Sequence, residues 1–248
     1  MPVSLMLAGL IAVALPAPAF AQVKVLMSNG FRAAYQDILP DFEKKSGVSV
    51  TTSAGPSQGD GPNTIGAQLR RGVAADVVIL SKAGLIDLMK DGKIAAGTET
   101  DLAQSPLGVG VRAGSPKPDI STVEAFTQTL IKAKSITFQS TTVIYLRDKL
   151  LPQLGITDTV MAKHSEIGPS AVASGAAEFA ISPVSEILHV PGVDYVGTIP
   201  AQIQLVQTFS AAVVSVSKEP ADSKELIAYL ASEQAKAAIR KNGMEPAH

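Results

Sequence analysis

The chain has no cysteine and no tryptophan, and only 4% of its 248 residues are aromatic. The lack of cysteine excludes disulfides, thiolate metal sites, a cysteine nucleophile and a lipidated N-terminal cysteine. So few rings argue against the stacking platforms that bind sugars or single strands. An excess of one charge is missing too: 21 Lys and Arg face 22 Asp and Glu, for a net charge of −1. Without a basic stripe, nucleic acid is not an expected partner. The three histidines, His164, His189 and His248, show no metal-ligand spacing and no accompanying acidic cluster, so neither a metal nor a cofactor is expected. His164 and His189 read as surface or loop positions. A nucleophile elbow, a phosphate loop and a dinucleotide fingerprint are all absent, and Gly108 and Gly110 fall inside a strand pattern.

Apolar residues, at 46%, supply ample material for a packed core. The first 21 positions stand apart. Leu5 to Leu15 is an apolar run, with Pro16 and Pro18 after it and the small-x-small triplet Ala19-Phe20-Ala21 at its end. This reads as a cleavable signal peptide over 1–21, with Gln22 as the new N-terminus and the periplasm as destination. No Lys or Arg precedes the run.

From Val23 onward, strand and helix patterns alternate. Val23–Met27, Val48–Thr52 and Ala75–Leu80 read as strands. Phe31–Lys45, Thr64–Arg71 and Lys82–Lys90 read as helices, the first with Phe31, Ala34, Tyr35, Ile38, Leu39 and Phe42 on one face. Such a rhythm predicts an α/β fold with a mostly parallel sheet flanked by helices, and a ligand beyond the carboxyl ends of the strands. A second αβ set follows, with no flexible linker between the two. The expected crossings lie near Ala103–Leu107 and Gln207–Phe209, so that residues 22–104 and 208–248 form one lobe and 105–207 the other. Two crossings make a two-strand hinge, and the cleft between the lobes is the expected site.

Polar clusters stand where helices should begin: Ser28-Asn29, Ser57-Gln58, Ser140-Thr141-Thr142 and, more loosely, Ser182 with Ser185. Any one of them is explained as a helix cap. Together, at the strand ends of two facing lobes, they would hold an anion through hydroxyls, amides and unpaired backbone N–H groups. Arg32, one turn into the first helix, is a candidate carboxylate clamp, against the commoner reading of a solvated arginine. Glu186 is a candidate base, against a solvated or capping glutamate.

The strand ending at Ser28, the helix ending Phe42-Glu43-Lys44-Lys45-Ser46-Gly47-Val48, the strand Ala74–Ile79 and the ending Lys218–Glu233 resemble the molybdate-binding proteins, type II periplasmic binding proteins of ABC importers. That resemblance implies a two-lobed fold, a monomer, transporter membrane subunits as partners, and an oxyanion held by neutral donors at Ser28, Ser57 and Ser140–Thr142. The family's ligand tyrosine after the strand Phe179–Ile181 has no counterpart before Tyr195. Val111–Thr122 and Ser185–Gly192 are similar to a divergent branch that includes aconitate isomerase, which moves a proton between allylic carbons of a tricarboxylate. Such chemistry needs a base as well as donors. The donors are plain in this sequence and the base rests on Glu186 alone, so binding of a small oxyanion or di- or tricarboxylate for uptake is favoured here over isomerisation.

Overall fold

A computed structural model describes residues 22–247; the leader expected over 1–21 lies outside them. The chain opens with β1 (Gln22–Met27), a 3-10 turn over Asn29–Phe31, α1 (Arg32–Ser46), β2 (Ser49–Ala54), α2 (Ile65–Arg70), β3 (Val77–Ser81) and α3 (Lys82–Lys90). The long strand β4 (Thr100–Arg112) follows, then α4 (Val123–Lys132) and the two-residue β5 (Ile136–Thr137). One helical stretch comes next: α5 (Thr141–Tyr145), a π segment (Leu146–Leu150) and α6 (Leu151–Leu154). After it come α7 (Thr157–Met161), β6 (His164–Ser165), α8 (Ser170–Ser174), β7 (Phe179–Pro183), α9 (Val184–Ile187) and β8 (Val193–Thr198). The chain ends with β9 (Val206–Val213), α10 (Pro220–Leu230), α11 (Glu233–Lys241) and β10 (Glu245–Pro246).

The strands run in the order β2-β1-β3-β9-β4-β7-β5-β6, with β8 and β10 also paired to β4. β1 pairs parallel with β2 and β3. All five residues of β3 are buried, as expected of a strand covered on both faces. β4 joins the two lobes. Its first half, Thr100–Pro106, pairs with β9, and its second half, Leu107–Arg112, pairs with β7 and β8. Only Leu107–Val111 of this strand is legible from sequence, because Pro106 and the polar residues before it read as a break.

Each lobe has its own core. Phe31, Tyr35, Phe42 and Phe209 sit in one apolar cluster with Leu226 and Ile239. Phe126, Phe138, Leu146 and Ile181 sit in another, formed by residues between Leu107 and Ile203. The first cluster explains the face of α1: Ala34, Tyr35, Ile38 and Phe42 are the buried positions of that helix. His164 is not a plain surface residue. Its ring stacks on Phe138 with centroids 3.8 Å apart, and its Nε2 lies 2.8 Å from the Phe138 carbonyl. Among the described residues no helix is long and apolar enough to cross a membrane.

Candidate ligand-binding cleft

Between the lobes lies a cleft of about 250 Å³, just below the roughly 300 Å³ at which ligand pockets usually start. The first lobe lines it with Ser28, Asn29, Ser57 and Asn63, and the second with Gln139, Ser140, Thr141, Thr142 and Glu186. Gln207 and Phe209, on β9, form the floor where the chain passes between lobes.

Ser28 follows β1, held by its N–H, which donates to the Ile79 carbonyl at 2.8 Å. Its side chain is buried, and the hydroxyl has no hydrogen-bond partner among the described residues. The next turn hugs β9 so closely that a Cβ at Gly30 would overlap the Phe209 ring. Ser57 stands in the loop after β2, and its Oγ accepts the Ser81 N–H at 2.9 Å. That loop rests on the start of α3, where a Cβ at Gly84 would come within 2.7 Å of the Ser57 carbonyl.

From the other lobe, Ser140 precedes α5 with φ 55° and ψ −133°, the one positive-φ residue other than glycine among those described. This conformation costs on the order of 1–3 kcal/mol and marks a position over-determined by its surroundings. Here the Ser140 Oγ accepts the Gln58 N–H at 3.2 Å from across the cleft. Thr142 Oγ1 accepts from the Gln207 amide at 3.0 Å.

These contacts leave a simple count of protons. The hydroxyls of Ser57, Ser140 and Thr142 each accept a hydrogen bond, and no acceptor for their own protons is found among the described residues. With Ser28 there are two such hydroxyls on each side of the gap. A buried hydroxyl seeks an acceptor. Four facing one cleft favour a ligand rich in oxygen atoms and negative charge.

Thr141 has another role. Its hydroxyl donates to Gln58 Oε1 at 3.0 Å and lies 2.8 Å from Ser81 Oγ, which in turn accepts the Gly84 N–H that caps α3. The Gln58 amide then donates to Asp87 at 2.7 Å. Thus Gln58 faces the neighbouring cavity and ties the lobes together.

Among the described residues, Glu186 is the only ionisable one lining the cleft. It follows β7 on the short α9. Surrounded by protein but still partly open to the cleft, its carboxyl is pushed up to about 7 by desolvation, against the hydrogen bonds of Gln139 and Ser182 that pull it down. Ser182 therefore supports Glu186 and does not line the cleft. Arg32 lies in an adjoining pocket. Gln139, Asn63, Gln207 and Phe209 escape the sequence reading. Gln139 was the most findable, since it directly follows a strand end and precedes Ser140. Among the described residues, no group of His, Asp and Glu could hold a metal ion.

A two-lobed α/β chain with a hinged, donor-lined cleft is the build of an extracytoplasmic binding protein. The match to the family of bacterial extracellular solute-binding proteins spans residues 23–245, and the chain belongs to that family. It is 39% identical over 227 residues to an aconitate isomerase from a Pseudomonas species, covering 90% of this chain and 87% of that one. Its fold is similar to the periplasmic molybdate-binding protein of Azotobacter vinelandii, with a TM-score of 0.71 at 22% identity, over 90% of this chain and 98% of that one. It is also similar to the sulfate-binding protein SubI of Mycobacterium tuberculosis, with a TM-score of 0.72 at 19% identity, over 92% and 87%.

Proposed function

We propose that the protein is a periplasmic isomerase of aconitate type, built on the solute-binding scaffold. The carrying observation is Glu186: a carboxyl poised near 7, set in the same cleft as four uncommitted hydroxyl protons. Proton transfer at neutral pH works best with a group that titrates there. The lobe boundaries we propose are those expected from sequence, residues 22–104 with 208–248 and residues 105–207.

In this reading the ionised Glu186 takes a proton from the methylene carbon of cis-aconitate. The electron pair spreads over the allylic system into the adjoining carboxylate, and Ser28, Ser140 and Thr142 hydroxyls stabilise the growing oxyanion. Glu186 then returns the proton to the far allylic carbon, so the double bond shifts and trans-aconitate forms. Purified protein should interconvert cis- and trans-aconitate, followed by NMR, and Glu186→Gln should not. Absence of conversion by the wild type would refute the assignment.

Membership of the solute-binding family favours a second reading, delivery of a small anion to an ABC-type importer. Closure of the lobes around the ligand would then be the whole mechanism. It predicts stabilisation against heat by an anion with no turnover.

A further inference from the structure

Behind Glu186 lies a second pocket of about 340 Å³. It shares Asn29, Gln139 and Glu186 with the cleft, so these three side chains form a partition touched from both sides. The outer pocket has what the inner one lacks, a cation: the Arg32 guanidinium is on its wall. Arg32 is half-buried, and its Nε donates to Asn29 Oδ1 at 3.1 Å. No acceptor for its terminal nitrogens is found among the described residues, where ion pairs take up other arginines such as Arg70 and Arg147. Ser185 adds an independent sign. It lines the same pocket, and its buried hydroxyl has no partner among the described residues. A half-buried guanidinium with a free fork is suited to two parallel hydrogen bonds to one carboxylate.

We infer that this pocket is an outer carboxylate subsite, in which Arg32, aided by Ser185, holds one carboxylate of a polycarboxylic ligand whose remaining carboxylates sit among the inner hydroxyls. The inference rests on the reading of the ligand as a polycarboxylate. It adds that a ligand reaching both pockets straddles the partition, with its middle carbons beside Glu186. It also assigns the pocket a preference: a third carboxylate is recognised there, and a small inorganic oxyanion held in the inner cleft does not reach it.

The test uses two unreactive probes on the full chain, tricarballylate and glutarate, which differ only by the central carboxylate, with binding measured by calorimetry. Wild type should bind tricarballylate more tightly than glutarate. Arg32→Gln should weaken tricarballylate roughly ten- to hundredfold, the loss expected for a charge-assisted hydrogen bond, and leave glutarate within about twofold. Ser185→Ala should cause a smaller loss in the same direction, which guards against a fold defect in the arginine variant. Equal losses for both probes, or none for either, would overturn the subsite. Failure to interconvert cis- and trans-aconitate, with the Arg32-dependent selectivity intact, would remove the isomerase reading and leave the subsite standing.

Discussion

Asp76 in the first lobe and Glu186 in the second are both set into protein, yet they titrate in opposite directions. Burial pushes each carboxyl up. For Asp76 this is outweighed by the backbone N–H groups of Lys24 and Lys218 and the Ser217 hydroxyl, at 2.9, 3.0 and 2.8 Å, which hold it below the usual carboxylate range. Glu186 has only the side chains of Gln139 and Ser182, and burial wins. The number of donors thus separates a structural carboxylate, which fastens β1 to the segment after β9, from one able to exchange a proton.

The contrast breaks most sharply at Glu186. Glu186→Gln should lower aconitate turnover about 10²- to 10⁴-fold, the usual worth of a positioned base, while tricarballylate binding persists. Loss of binding along with turnover would make Glu186 a structural group like Asp76.

The two groups should also leave opposite marks on stability. The folded-state value of Glu186 lies above its ordinary 4.5, so the folded protein holds that proton longer than the unfolded chain. Ionising it costs stability as pH rises from 4.5 to about 7, up to about 3 kcal/mol above that range. Glu186→Gln should therefore melt higher than wild type at pH 8 and level with it near pH 4. For Asp76, the folded-state value lies below the ordinary 3.8, so its contribution is present above 3.8 and is lost as pH falls further. Asp76→Asn should cost about 1–3 kcal/mol at pH 7, seen in urea melts, because it weakens three bonds to a charged acceptor.

A smaller effect sharpens the asymmetry between the lobes. Ser140→Ala loses the bond from Gln58 and the hydroxyl proton offered to the ligand. About 1 kcal/mol should go from the closed, liganded form, read as a few-fold weaker tricarballylate affinity. An unchanged affinity would show that neither the contact across the cleft nor the Ser140 proton contributes to the liganded form.

The two lobes were not equally legible. In the first, long apolar strands end at polar residues, so Ser28, Asn29 and Ser57 could be placed by the rule that ligands sit at strand ends. In the second, the strand pattern Ser135–Phe138 around β5 was readable, but β6 has two residues, too short for any periodicity to show. Ser140, Thr141 and Thr142 were still findable, since α5 needs a start. Gln207 and Phe209 carry no such mark: they point into the cleft from a strand whose pattern speaks only of burial. Glu186 was visible as a candidate, but its environment comes from Gln139 and Ser182, which only the folded chain brings to it.

The placement of β9 has a consequence for assembly. This strand lies between β3 and β4, pairing antiparallel with both. The first lobe therefore cannot finish its sheet until residue 206 and those after it emerge from synthesis. Everything needed for the second lobe's core, from Leu107 to Ile203, is by then available as one continuous stretch. Contacts close in sequence form first. A chain truncated before Val206 leaves β3 with an open edge ready to pair wrongly.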